Sequence, residues 1–439
     1  MVSDNFAKSA ALTLDRSESD WPRTINVIPA GVQTFSKMPL QHVDGVAPKY
    51  IARSKGSKAW DVDGNEYIDF MSGLGPVILG HADEVVNRAV FSAMENGMSP
   101  SLPSPLETEL SEKLVELIPC AEMVRFGKNG SDVTSAAIRA ARALTGRDKI
   151  AICGYHGWQD WYIGTTPRNK GVPKAVQELS LKFNYNEIES LNKLLAEHDG
   201  EIAAVILEPV NFFEPENEFL EKVRDAAHAA GALLIFDEII TGFRIGMGGA
   251  QKYYGVTPDL ACFGKAMANG FPISAVVGKR EYMKVFEDIF FSFTFGGETA
   301  SIAAALTTID AMEQRGTIEH IRAMGIRLMS GYSAIVDKLG CGEMTRMIGF
   351  PWWPEYLFFD IDGSPSREIQ SLFQQEIVRR GVLTRAGMMI SGAHQKADID
   401  KTLHVFEEAL TVVFEAVRNG MVLDLLDGEV IQPVIRKVD

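Results

Sequence analysis

Six short apolar runs constrain this chain more than any other feature. They are "EMVRFGKNG", "KIAICGYHG", "IAAVILEPV", "ALLIFDEII", "DLACFGKA" and "ISAVVG", and each stops abruptly at a polar residue or a glycine. Unbroken apolarity over so few residues fits strands buried on both faces. Helical patterns lie between them. "SDVTSAAIRAARALTG" carries small and apolar residues at helical spacing and closes on Gly146, and "ENEFLEKVRDAAHAAG" closes on Gly231. A glycine free to turn left-handed is the common helix stop. Alternating strands and helices predict a mostly parallel sheet covered on both sides. Ligands of such sheets sit at the carboxyl ends of the strands. The polar residues that close the runs are therefore the first candidates for a site.

At 439 residues the chain can hold a large core and two subdomains. No repeat or low-complexity linker separates them. "SKAWDVDGNEYIDF" reads as a hairpin turning at Asp63-Gly64. After Thr307 the texture changes to a smaller α+β domain. The expected division is an N-terminal segment, 1–75, joining a small domain; a large domain, 76–315; and the C-terminal small domain, 316–439. No apolar run approaches the ~20 residues of a membrane span. The polar, acidic start "MVSDNFAKSAALTLDRSESDW" lacks the pattern of a secretory signal. A net charge of −15 argues against nucleic acid and anionic membrane as partners. It leaves anionic small molecules open, because a local pocket can oppose the global sign. Four scattered cysteines without a CxxC predict neither disulfides nor zinc, and point to a reducing cytoplasm.

Each candidate residue has an ordinary reading beside a chemical one. Lys265, in "DLACFGKAMANGFPISAVVG", sits among apolar residues. Either its stem snorkels along apolar surface, or its amine is held for chemistry. Asp237 closes "ALLIFDEII", where a buried carboxylate needs a cation or hydrogen bonds. It fits a cap or an internal ion pair as well as a partner for a heteroaromatic N–H⁺, and Glu238 beside it could pair with Arg244. "GKNGSDVTSAA" is a glycine turn opening a helix. Asn129, Gly130 and Ser131 would cradle a phosphate there, or Ser131 or Asp132 would simply cap the helix. In "GYHGWQDW", Tyr155 could stack on a planar ligand with His156 nearby, or both could be core residues. No second histidine or carboxylate lies at metal-ligand spacing, so no metal is expected. Thr294, in "SFTFGGETASIAAA", offers a hydroxyl to a phosphate or merely occupies a tight turn. Taken together, a phosphate cradle, a stacking platform, a carboxylate and a pocketed lysine meet the needs of pyridoxal 5′-phosphate. The lysine would form a Schiff base with its aldehyde, and the carboxylate would keep its ring nitrogen protonated.

On these residues the chain resembles the class III aminotransferases, fold-type I pyridoxal-phosphate enzymes, and within them the glutamate-1-semialdehyde aminomutases. The likeness runs from "IPAGVQTF" and "GSKAWDVDGNEYIDF" through "DEIITGFRIG" and "GKAMANGFP" to "AHQKADIDKTL". It implies an α/β fold with a mostly parallel seven-stranded sheet in the large domain and a smaller α+β domain from both chain ends. It implies Lys265 as the Schiff-base lysine and Asp237 as partner of the pyridine nitrogen. Ile239 would pack on the ring face opposite Tyr155, and Glu208, in "ILEPV", would lie near the cofactor. The resemblance further implies an obligate homodimer in which Thr294 reaches the phosphate of the other subunit. The reaction would move an amino group between a small-molecule amino donor and a carbonyl acceptor, with glutamate-1-semialdehyde aminomutation as the alternative. Departures fall on the substrate side. Thr34 and Lys37, in "GVQTFSK", stand where the aminomutase pattern has serine and arginine, and lysine lacks the bidentate arginine fork. Ala386 stands roughly where that pattern has glutamate. "GKNGSD" replaces Asn-Ser-Gly-Thr-Glu, and "GGETAS" replaces a Gly-Asn-Pro turn. Trp352 and Trp353 belong either to a pocket mouth or to a core or interface cluster.

Overall fold

A computed structural model describes residues 11–432 of the chain. Two compact units divide it. One comprises Gly75–Ile78 and Glu84–Ile318; the other is built from residues before Gly75, from Leu79–Asp83 and from Glu319 onward.

The first unit carries the predicted sheet. Its elements are β1 (Met123–Gly127), α1 (Gly130–Thr145), β2 (Lys149–Cys153), β3 (Ser180–Lys182), β4 (Ile202–Leu207), α2 (Phe219–Ala229), β5 (Leu233–Glu238), β6 (Leu260–Phe263), β7 (Ser274–Gly278) and α3 (Thr299–Arg315). The seven strands lie in the order β1-β7-β6-β5-β4-β2-β3. The pairs β2–β3, β2–β4, β4–β5 and β5–β6 are parallel. β7 alone runs against its neighbours β6 and β1. β1 consequently points the same way as β6, and all strands but β7 end along one edge.

Every residue of β4, β5, β6 and β7 is buried, which is why these runs read as unbroken apolar sequence. Each fully buried Ile, Val or Leu contributes roughly 1.5–3 kcal/mol. In α1, Ala136, Ala137, Ala140 and Ala141 are buried, and their small side chains let the helix lie close to the sheet. Gly146, at φ 67°, ends it as the sequence predicts. Gly231, at φ 68°, follows α2 two residues after its last helical position.

The second unit contains the hairpin Lys58–Asp61/Glu66–Asp69, joined on one side by Ile51–Lys55 and on the other by a parallel Val382–Leu383. Asp61 Oδ1 accepts from the backbone N–H of Asp63 and Asn65, which draws the turn tight around Gly64 at φ 94°. Trp352 is 4% exposed and stacks on Phe350, so it belongs to the core of this unit. Among the described residues no helix is long and apolar enough to cross a membrane, and no group of three or more His, Cys, Asp or Glu could hold a metal ion. All four cysteines are free and buried.

Candidate active site

Lys265 follows β6 by two residues and is held at φ 40°, a left-handed backbone that costs a non-glycine residue about 1–3 kcal/mol. Ala266, Met267 and Ala268 behind it are buried, while Lys265 itself keeps part of its surface accessible. Low-polarity surroundings lower the basicity of its amine. The charge of Arg244 acts in the same sense, and Glu208 and Asp237 pull the other way.

Asp237 sits at the end of β5, 4% exposed, in register with Cys262 of β6. Its Oδ2 lies 2.8 Å from His156 Nδ1, and its Oδ1 accepts from Ile239 N at 3.1 Å. His156 is 2% exposed, and its other ring nitrogen, Nε2, is buried without a hydrogen-bond partner. Thr134 Oγ1, from α1, donates to His156 O at 3.0 Å and holds the turn after β2 in place. In that turn Tyr155 leaves 51% of its surface open, while its backbone N–H donates to Glu208 Oε2 at 2.8 Å. Glu208, after β4, has its carboxyl pushed up to about 7, first by burial and then by the charge of Asp237. Glu238 serves the fold: its oxygens accept from Thr241 Oγ1, from Ala250 N and from the backbone and side chain of Gln251. Arg244 donates to Gly75 O at 2.7 Å.

The glycine turn after β1 opens α1. Asn129 holds the N-cap position, ahead of the Ser131 or Asp132 that the sequence suggested, and Asp132 Oδ2 reaches back to accept from Lys128 N and Asn129 N. Gly130 and Ser131 begin the helix, so no carbonyl a turn earlier is available to their N–H groups. These donors stand at the positive end of a 16-residue helix. Ser274 Oγ pins the turn by donating to Asn129 O at 2.8 Å, and Ser131 Oγ accepts from Trp158 N at 3.3 Å. A Cβ on Gly130 or Gly264 would come within 3.1 or 3.2 Å of the Ile239 side chain, which therefore lies between the cradle and the lysine turn.

Lys265, Asp237, His156, Tyr155, Glu208, Ile239 and the Asn129–Ser131 turn thus form one connected set. Thr294 stands outside it, in an exposed turn. Thr34 and Lys37 lie in the other unit, both exposed, Thr34 just before the short turn Phe35–Lys37 and Lys37 as its last residue. Sequence reasoning missed Ser274, Thr134 and the approach of Arg244 to Lys265. Their partners are set by sheet order and have no local signal.

Residues 41–352 match the aminotransferase class-III family. The chain is 37% identical over 412 residues to the 3-aminobutyryl-CoA aminotransferase of Cloacimonas acidaminovorans (strain Evry), covering 92% of this chain and 98% of that one. It is 35% identical over 425 residues to the glutamate-1-semialdehyde 2,1-aminomutase of Archaeoglobus fulgidus, covering 91% and 100%. Its fold superposes on FumI of Sphingopyxis sp. MTA144, solved in its pyridoxal-phosphate internal aldimine form, with a TM-score of 0.87, 28% identity and 95% and 99% coverage. The chain belongs to the class III aminotransferases. It is a pyridoxal 5′-phosphate-dependent aminotransferase. The residues fit that cofactor. They offer an N–H array for a phosphate, a carboxylate for a pyridine nitrogen, an open tyrosine ring and an amine of lowered basicity. Gly157, at φ 109°, keeps the cradle clear, since a Cβ there would meet Ser131 Oγ at 2.1 Å.

Proposed function

We propose that the enzyme moves an amino group from an amino-acid donor to a separate carbonyl acceptor at the cluster around Lys265. The observation that carries this reading is the convergence of Lys265, Asp237 and Glu208 on one sheet edge, where the charge of Asp237 acts on both Glu208 and Lys265. When bound, pyridoxal 5′-phosphate supplies an aldehyde that takes up amino groups and a ring that accepts electrons from the substrate carbon. Lys265 holds the cofactor through its amine, and a lowered basicity leaves more of that amine in its neutral, nucleophilic form. Once released, Nζ accepts and returns the proton that moves during transfer. Asp237 presents a fixed negative charge to the ring nitrogen. His156 donates to Oδ2 and keeps that carboxylate aimed. Tyr155 and Ile239 bound the ring on its two faces, and Asn129, Gly130 and Ser131 hold the phosphate. Glu208 holds a proton near neutral pH beside Lys265. Thr294, exposed in its turn, reaches the phosphate of the other subunit in a homodimer, and the enzyme works in the cytoplasm.

Intramolecular transfer on glutamate 1-semialdehyde, giving 5-aminolevulinate, is the second reading, and the Archaeoglobus relative favours it. Thr34, Lys37 and Ala386, standing where the aminomutase pattern has serine, arginine and glutamate, weigh against it. The test is spectral titration of the holoprotein with L-glutamate, L-alanine, simple primary amines and a diamine related to the semialdehyde. Loss of the visible band with an amino acid alone, and its return on adding a carbonyl compound, is the expected result. A response confined to the diamine would replace this reading with the second.

A further inference from the structure

Two segments that depart from the family pattern meet in space. Lys128, from "GKNGSD", and Glu298, from "GGETAS", lie 170 residues apart, yet Lys128 Nζ stands 3.0 Å from Glu298 Oε2. Both side chains are largely withdrawn from solvent, at 15% and 10% exposure. Lys128 immediately precedes the Asn129–Ser131 cradle. Glu298 caps α3, where its carboxylate accepts from Ala300 N and Ser301 N. The pair therefore ties the cradle to the end of the loop that carries Thr294.

Much of that loop is exposed. Phe290 and Phe295 are 81% and 59% exposed, and residues 291–293 and 296–297 border a cavity of about 880 Å³. Its start is held by two more cations of the same region. Arg139 of α1 donates to Phe290 O at 2.7 Å, and Arg125 of β1 donates to Phe291 O at 2.5 Å. Its close reaches Glu298 through Gly297, where a Cβ would meet Glu107 Oε1 at 2.7 Å. Burial alone would favour a neutral Glu298, but the Ser301 and Lys128 hydrogen bonds hold its carboxyl below the ordinary range.

We propose that Lys128 is a positioning residue for cofactor retention: paired with Glu298, it fixes the phosphate cradle against the Thr294 loop. The proposal rests on the reading that Asn129, Gly130 and Ser131 hold the cofactor phosphate. Loss of the ammonium leaves a largely buried carboxylate without its cation and lets the turn bearing the cradle N–H groups move. The cofactor's phosphate end is then held less tightly, and its ring end is unaffected.

The test compares the affinity of the apoprotein for pyridoxal 5′-phosphate with that for pyridoxal, by absorbance titration. Lys128→Met is expected to weaken pyridoxal 5′-phosphate about tenfold, the size of one charge-assisted hydrogen bond, and to leave pyridoxal within about twofold. Lys128→Arg restores the wild-type ratio. Glu298→Gln, whose amide oxygen still caps α3, gives the same loss and carries the test if Lys128→Met does not fold. Ser131→Ala reads the cradle directly. If Ser131→Ala lowers the ratio while the Lys128 and Glu298 variants match wild type, the positioning role is overturned and the cradle stands. If Ser131→Ala leaves the ratio unchanged as well, the cradle assignment falls and the proposal with it. Equal weakening of both ligands would mean a general structural loss and would also overturn it.

Discussion

His156 Nδ1 meets Asp237 Oδ2 at 2.8 Å, with both side chains almost wholly out of solvent. A carboxylate so buried needs donors or cations facing it. His156 therefore holds Asp237 in place from behind, and the two residues separate in their mutant effects. Asp237→Asn removes the charge with little change of shape and should lower kcat about 10²- to 10³-fold at saturating cofactor. His156→Phe removes one hydrogen bond to a charge and should lower it about 10- to 100-fold. Steady-state kinetics on both variants checks the ranking. A larger loss for His156→Phe would place the important charge elsewhere.

Glu208 gives the apoprotein a pH signature. Its carboxyl titrates at about 7 in the folded chain, raised from 4.5 by burial first and by Asp237 second. Below pH 4.5 it is protonated folded or unfolded, and its contribution is fully present. Between 4.5 and about 7 the unfolded chain releases the proton first, so stability falls as pH rises through this window. Glu208→Gln should flatten that segment of the thermal-unfolding profile and make the variant more stable than wild type at pH 8. Equal slopes in the two proteins would show that Glu208 titrates normally.

Gly157→Ala tests the cradle by steric means. A Cβ there meets Ser131 Oγ at 2.1 Å and must adopt φ 109°. The expected loss is about 1–3 kcal/mol in apoprotein stability, with weaker cofactor retention. Gly171→Ala is the control, because φ is 93° there but nothing lies within 4 Å. Chemical unfolding of both variants separates the clash from backbone strain; equal losses would remove the clash from the account.

The cysteines should be inert in the folded state. Burial pushes the thiols of Cys120 and Cys153 up to about 12, and raises those of Cys262 and Cys341 as well. A thiol reagent at pH 8 should label none of them in native protein and all four after denaturation, as counted by mass spectrometry.

The strand-end residues were legible because burial on both faces forces unbroken apolar runs, so polarity returns only where a strand leaves the sheet. Asp237, Tyr155, Glu208 and Lys265 all stand at such points. The phase of a helix start is less visible. Ser131 and Asp132 are good caps by type, but the chain enters α1 at Asn129 and uses Asp132 to bond backward. Pairings across long separations carry no local mark. Ser274 meets Asn129 because β7 lies beside β1, which no single segment specifies, and Lys128 meets Glu298 across 170 residues. Trp352 shows the converse limit, since the same aromatic run serves a core or a pocket mouth and only packing decides.

The proposed function turns on Lys265 as the residue joined to the cofactor. Borohydride reduction of the holoprotein, followed by peptide mass mapping, tests it most directly. One reduced pyridoxyl-phosphate adduct per chain is expected, on the peptide containing Lys265, and none in Lys265→Ala. An adduct on any other lysine, or an unchanged yield in Lys265→Ala, would contradict it.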